Sequence, residues 1–290
     1  MAHRRTIISL LSAILASGAA APALAQTISL ADLAGKTHVH GLSFDPADSA
    51  NILVATHHGV MRAAPDGNVT PVSDVQDDFM GFVPHPTDPS IIFGSGHPST
   101  GGNLGFIKST DAGKTWTKIA PGVDGPVDFH QLAVSLTDAN VFYGSYGSIQ
   151  TSRDGGATWT IAGEAPGRLI DIAISPADPA TVYAATETGL MVSRDGAKTW
   201  QTLVSDVPVT TVELTADGTI YAFAAGRGVL RASESAPSFN TIGEGPDAAG
   251  YILHLAADRK DKQRLVAITG DKVIMVSSDA GVSWKALGKN

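Results

Sequence analysis

The chain has 290 residues, 43% of them hydrophobic, a formal charge of −8 and no cysteine. That length is enough to bury a core, and without cysteine there is no disulfide framework, thiolate metal site or thiol nucleophile. The acidic balance gives no support to a nucleic acid or an anionic membrane surface as partner.

Residues 1–25 read as a leader. "MAHRR" is basic, "TIISLLSAILASGAAAPA" is apolar and small, and "ALAQ" supplies a small-residue cleavage site after Ala25. Arg4-Arg5 fits either the general secretory route or the twin-arginine route. The expected location is periplasmic or secreted, with no membrane span once the leader is removed. Losing Arg4 and Arg5 takes the formal charge from −8 to −10. The remainder, 26–290, is expected to form one domain.

"TISLADLAG" (27–35) is followed by an apolar/polar alternation typical of strands. "HVHGLSFDP" (38–46) and "ILVATHHG" (52–59) form the first pair, and "RAAPDGN" (62–68) follows. "DFMGFVPHP" (78–86), "IIFGSGHP" (91–98) and the glycine-rich "STGGNLG" (99–105) lead to "STDAGKTW" (109–116). "DFHQLAVSL" (128–136) and "VFYGSYG" (141–147) lead to "SRDGGATW" (152–159), and "LIDIAISPADP" (169–179) and "TVYAATETG" (181–189) to "SRDGAKTW" (193–200). "TTVELTADG" (210–218) and "TIYAFAAGRG" (219–228) reach only the degenerate "SESAPSF" (233–239). "ILHLAADRK" (252–260) and "RLVAITGDK" (264–272) reach "SSDAGVSW" (277–284).

Four of these octads share S-x-D-x-G-x-x-W, with Ala197 replacing the glycine in the third. A period of about 40–45 residues with four short strands in each is the pattern of a β-propeller. The expected fold is all-β with six blades; seven is the alternative if 27–35 hides a remnant or a closing strand. Asp and Ser are turn-capping residues, Gly accepts positive φ, and Trp fills a core.

The octads resemble the Asp-box, or BNR, repeat of sialidases, sortilin-type receptors and glycosyl-hydrolase-like exported bacterial propellers. That resemblance implies a turn between the two outer strands of each blade. It also implies structural roles for Asp111, Trp116, Asp154, Trp159, Asp195, Trp200, Asp279 and Trp284.

Histidines stand out against this repeat. Aligned inner strands put Met80, His130, Asp171, Thr211 and His254 opposite His40, and Asp78, Asp128, Leu169, Val209 and Ile252 opposite His38. The second strands return to the same face with His57, His58, His97, Tyr146 and Glu187. His38, His40, His57, His58, His97 and His130 are therefore expected to gather away from the boxes. His85 is expected in a turn on the far face, and "STGGNLG" as a loop over the histidines.

Neutral imidazole is the commonest metal ligand, and Met80 adds a thioether that suits copper better than zinc. The expected centre is a transition-metal site, copper before zinc, with His38, His40 and His130 as its heart. His57, His58 or His97 complete the shell, with Asp78 and Asp128 behind them. Two other readings compete. A sialidase-like glycoside hydrolase would use Asp78, Asp128 or Glu187, but every tryptophan sits in a box and no arginine triad is evident. A non-catalytic assembly factor would bind a protein partner on a propeller face. An enzyme is the less favoured expectation.

Overall fold

A computed structural model describes residues 27–246 and 250–289. The expected leader, 1–25, lies outside the described residues.

The described residues form six small antiparallel sheets, each built from consecutive strands of the chain. The inner strands are Val39–Phe44, Asp78–Pro84, Gln131–Val134, Leu169–Ile174, Val209–Leu214 and Ile252–Ala257. Each pairs antiparallel with the next strand, so the ends of the second strands return to the face where the inner strands begin. The fold is a six-bladed β-propeller. Among the described residues no seventh blade forms; instead Ile28–Ser29 adds a fifth strand outside blade 1, against Asn68–Pro71.

The apolar residues fall between blades rather than within one. The box tryptophan of each blade packs into the core shared with the blade before it. Trp116 meets Phe79 (centroids 4.7 Å), and Trp159 meets Phe106 and Phe129 (5.2 and 4.7 Å). Phe239 packs into the equivalent seam of blade 5, which has no box. The boxes connect third to fourth strands, as Phe106–Ser109 to Thr117–Ala120 in blade 2, and so lie opposite the start of the inner strands.

The ring closes without exchanging a strand between first and last blades. Helix Leu30–Lys36 begins with a capping box, Ser29 and Asp32 each bonding the other's backbone. It buries Leu33 in the core shared by blades 1 and 6. Lys272 Nζ donates to Ala34 O (3.0 Å). Arg264 Nη2 donates to Ser49 O (2.9 Å), and Arg259 reaches past blade 1 to Pro84 O (2.8 Å) and His85 O.

The register corrects the sequence alignment in three blades. Counting back from the paired ends Phe44, Pro84, Val134, Ile174, Leu214 and Ala257 aligns the ring, with His38, Asp78 and Asp128 each six residues before the end. His40, Met80 and His130 are equivalent, as expected. In blades 4 to 6, however, that position holds Ile170, Thr210 and Leu253, not Asp171, Thr211 and His254. Likewise Arg168, Pro208 and Tyr251, not Leu169, Val209 and Ile252, match His38. Matching polar residue to polar residue misaligns these blades, because register is set by the turn that follows the strand. There Asp45, His85, Ser135, Ser175, Thr215 and Asp258 each cap the turn; His85 does so by accepting from Asp88 N at Nδ1 (3.0 Å).

Candidate metal centre

Two of the side chains displaced by one position, Asp171 and His254, have structural duties, and so does Glu213, two residues beyond Thr211. Asp171 Oδ2 accepts from Val212 N of the next blade (2.9 Å), Glu213 Oε1 from Ala257 N (3.1 Å), and His254 Nε2 lies 3.3 Å from Val39 O. They tie blade 4 to 5, 5 to 6 and 6 to 1. At the position of Asp171 and His254, blades 1 to 3 have Gly41, Gly81 and Gln131, and at that of Glu213 they have Ser43, Val83 and Ala133. Polar side chains of that half are therefore not consumed by these ties.

What blades 1 to 3 present instead is two triads of His and Asp. In the first, His57 Nδ1 lies 2.9 Å from Asp78 Oδ2, and His40 Nε2 lies 3.7 Å from Asp78 Oδ1. In the second, His97 Nε2 and His130 Nε2 both face Asp128 Oδ2, at 2.8 and 2.7 Å. Each set offers one carboxylate and two imidazoles from neighbouring blades.

Local structure explains the placement. His40 sits on a β-bulge, between the pairs Val39–Thr56 and Gly41–Ala55, and a bulge re-aims the side chain it carries. His57 follows the end of strand Ile52–Thr56, where Thr56 Oγ1 accepts from His58 N (3.0 Å) and donates to Gly59 O (2.8 Å) to fix the turn. Asp78 opens its strand opposite His97. His97 Nδ1 is 2.9 Å from Gly102 O, in the 99–105 loop. Asn103 Nδ2 anchors that loop by donating to Pro126 O (2.9 Å) and Tyr146 Oη (3.1 Å). Asp128 is 4% exposed, and the next residue, Phe129, donates its N–H to Ser95 Oγ (2.9 Å).

The polar accounting is incomplete in a revealing way. His40 Nε2, Asp78 Oδ1 and Asp128 Oδ1 are buried and have no hydrogen-bond partner. Such groups cost of order 1–3 kcal/mol each when left unpaired. At 3.7 Å, His40 Nε2 and Asp78 Oδ1 are too far apart to bond each other. They are close to the ~3.3 Å edge of a tetrahedron with metal bonds of about 2.0 Å. His97 has an acceptor at each ring nitrogen, so one of the two contacts needs a second proton or an ion at Nε2.

Electrostatics favour the ligand form at His40. Burial, and then the neighbouring His57, His254, His130 and His38, pull its pKa down to about 3. The hydrogen bond to Asp128 acts in the opposite direction on His130, raising its pKa.

Of the remaining expected site residues, His38 is exposed, with its ring 5.2 Å from His57 and 6.4 Å from His40. It borders the first triad rather than joining His40 and His130 in one central set. His58 is exposed and stands outside both triads. Met80 is 5% exposed, at the ring position between His40 and His130. Asp78 and Asp128 stand within the triads rather than behind them. Glu187 lies apart, in an exposed ion pair with Arg168 (2.9 Å). The Gly102 carbonyl and Asn103 also contribute, and in the sequence only the position of "STGGNLG" after His97 points to them. Behind the triads, a central cavity of about 640 Å³ reaches from His40 and His130 to Glu213 and Arg259.

No protein-family model matches the sequence, and no curated protein matches it. Solved structures do match in shape. A GH74 enzyme from Niastella koreensis superposes with a TM-score of 0.62 at 16% identity, covering 86% of this chain and 45% of its own. A GH74 xyloglucanase from Xanthomonas campestris gives 0.60 at 20% identity, covering 90% and 46%. YCF48 bound to a D1 peptide gives 0.53 at 15% identity, covering 91% and 86%. The chain thus spans less than half of the GH74 enzymes it matches. At these identities the likeness establishes the propeller fold and nothing finer.

Proposed function

We propose that this protein is an exported metal-binding propeller that takes up a transition metal, copper first, on the face opposite its Asp boxes. The observation that carries the reading is the set of buried, unpartnered donor atoms His40 Nε2, Asp78 Oδ1 and Asp128 Oδ1 within two His/Asp triads. Nitrogen and oxygen donors bind Cu(II) more strongly than other divalent first-row ions, and Met80 at the ring position between the triads adds a donor type suited to Cu(I). The leader-like 1–25 supports delivery to an oxidising compartment.

Glycoside hydrolysis is the weaker reading. Asp78 and Asp128 each already face two imidazoles, and Glu187 is paired with Arg168, so none of the three carboxylates expected of a hydrolase is free to act on a glycosidic bond. No turnover of xyloglucan or aryl glycosides is expected.

The test is competition titration of metal-free protein with Cu(II), Cu(I) and Zn(II), for wild type and a His40→Ala, His130→Ala double variant. The expected result is wild-type copper binding tighter than about micromolar, near −8 kcal/mol, and weakened at least 100-fold in the variant. Equal affinity in both proteins would refute the proposal.

A further inference from the structure

The two triads draw the same residue types from equivalent positions, although His57 meets its aspartate through Nδ1 and His97 through Nε2. His57 and His97 each follow the residue paired with the equivalent inner-strand positions Val39 and Phe79. Asp78 and Asp128 each precede an equivalent phenylalanine, Phe79 and Phe129, in the following blade. The same His–Asp pair therefore bridges blades 1 and 2 and again blades 2 and 3. The third imidazole comes from opposite sides, His40 of blade 1 and His130 of blade 3, and Met80 occupies their shared ring position in blade 2. The repeat does not force this pairing: the next junction has Gly147 and Arg168 at those two positions, and the one after has Glu187 and Pro208.

The copies differ in support. His97 is oriented by Gly102 O at its second nitrogen, and Asp128 is 4% exposed. Among the described residues no group holds the second nitrogen of His57. A ligand fixed through its other nitrogen typically improves affinity 10–100-fold.

We infer that the face holds two inequivalent transition-metal ions per chain, a tight one at His97, Asp128 and His130 and a looser one at His40, His57 and Asp78. This rests on the metal-binding reading above. Asn103 is a positioning residue for the tight ion, because it anchors the loop whose Gly102 carbonyl orients His97.

The experiment is stepwise Cu(II) titration of the metal-free full chain, followed by calorimetry and by electron paramagnetic resonance. Wild type should take two equivalents with affinities about 10–100-fold apart and two distinct resonance signals. His97→Ala should remove the tight step, and His57→Ala the loose one. Asn103→Ala touches no ligand, so it should weaken the tight step several-fold, alter its signal and leave the loose step unchanged. A single equivalent abolished by His57→Ala and His97→Ala alike would overturn the two-ion inference while leaving metal binding intact. Two equal steps indifferent to Asn103→Ala would overturn the inequivalence. No binding at all would instead refute the proposed function.

Discussion

Each complete Asp box spends its carboxylate on its own turn. In the third-blade box Asp154 accepts from Thr158 N (2.9 Å), Thr158 Oγ1 (2.6 Å) and Ser152 Oγ (2.8 Å), while Trp159 Nε1 donates to Gly156 O (3.0 Å). The fifth box residue takes positive φ in all four boxes: 91° at Gly113, 87° at Gly156, 70° at Ala197 and 89° at Gly281. Ala197 is tolerated because of its neighbour. A Cβ on Gly156 would run into the Phe106 ring, whereas the corresponding residue beside Ala197 is the smaller Ile149. Gly156→Ala should therefore cost about 2–4 kcal/mol from overpacking and the left-handed backbone. Ala197→Gly should stay within about 1 kcal/mol of neutral, strain relief offsetting a lost buried methyl. Chemical denaturation of both variants checks the contrast. Trp159→Ala should cost about 3–5 kcal/mol and leave copper affinity unchanged in the folded protein; loss of copper binding with folding intact would give the boxes a functional role. At this scale the box residues were legible in the sequence, because a turn's chemistry is local. The pairing of His57 with Asp78 and of His97 with Asp128 was not, because it depends on the angle between blades.

Inner strands carry two kinds of polar residue, and only register separates them. Asp171 and Glu213 point the polarity of blades 4 and 5 into ties between blades, and burial pushes both pKa values up to about 7. A carboxyl raised in the fold contributes stability that is fully present below its unfolded value near 4, and loses it as pH rises through about 7. These two carboxyls should accordingly favour a higher melting temperature at pH 5 than at pH 8, against the opposite pull of His40 and His254, whose burial lowers their pKa values to about 3 and about 4. Glu213→Gln keeps an oxygen for the Ala257 N–H and should reduce that difference; a variant with the full wild-type pH dependence would show that Glu213 is ionised freely in the fold. Further acidification works the other way, since the Ser283 hydroxyl holds Asp279 down at about 2 and its stabilisation is lost as pH falls through that range. Alternation of apolar and polar residues identified these strands from sequence. It misplaced blades 4 to 6 by one residue because their polar residues, Asp171, Thr211 and His254, stand just after the bulge, where blade 1 has Gly41, whereas His40 stands on the bulge itself.

The whole ring depends on a seam that the repeat cannot supply. Blades 1 and 6 come from opposite ends of the chain and share no strand, so side chains must close the circle. Leu33 of helix Leu30–Lys36 is 4% exposed in that seam. Leu33→Ala should cost about 2–5 kcal/mol, read as a lower denaturant midpoint. The spacing of the octads was enough to read a propeller, and the strands between them to read six blades, with seven as the alternative. The helix and the Arg259 reach across to blade 2 were not legible, because they occur once and belong to no repeat. Closure matters for the centre because it fixes blades 1, 2 and 3 at the mutual angles that set both triads. The most direct measurement is anomalous diffraction at the copper edge from crystals of metal-loaded protein. Peaks within bonding distance of His40, His57 and Asp78, and of His97, Asp128 and His130, are predicted. An anomalous map without density at either triad, from protein shown to carry copper, would contradict the account.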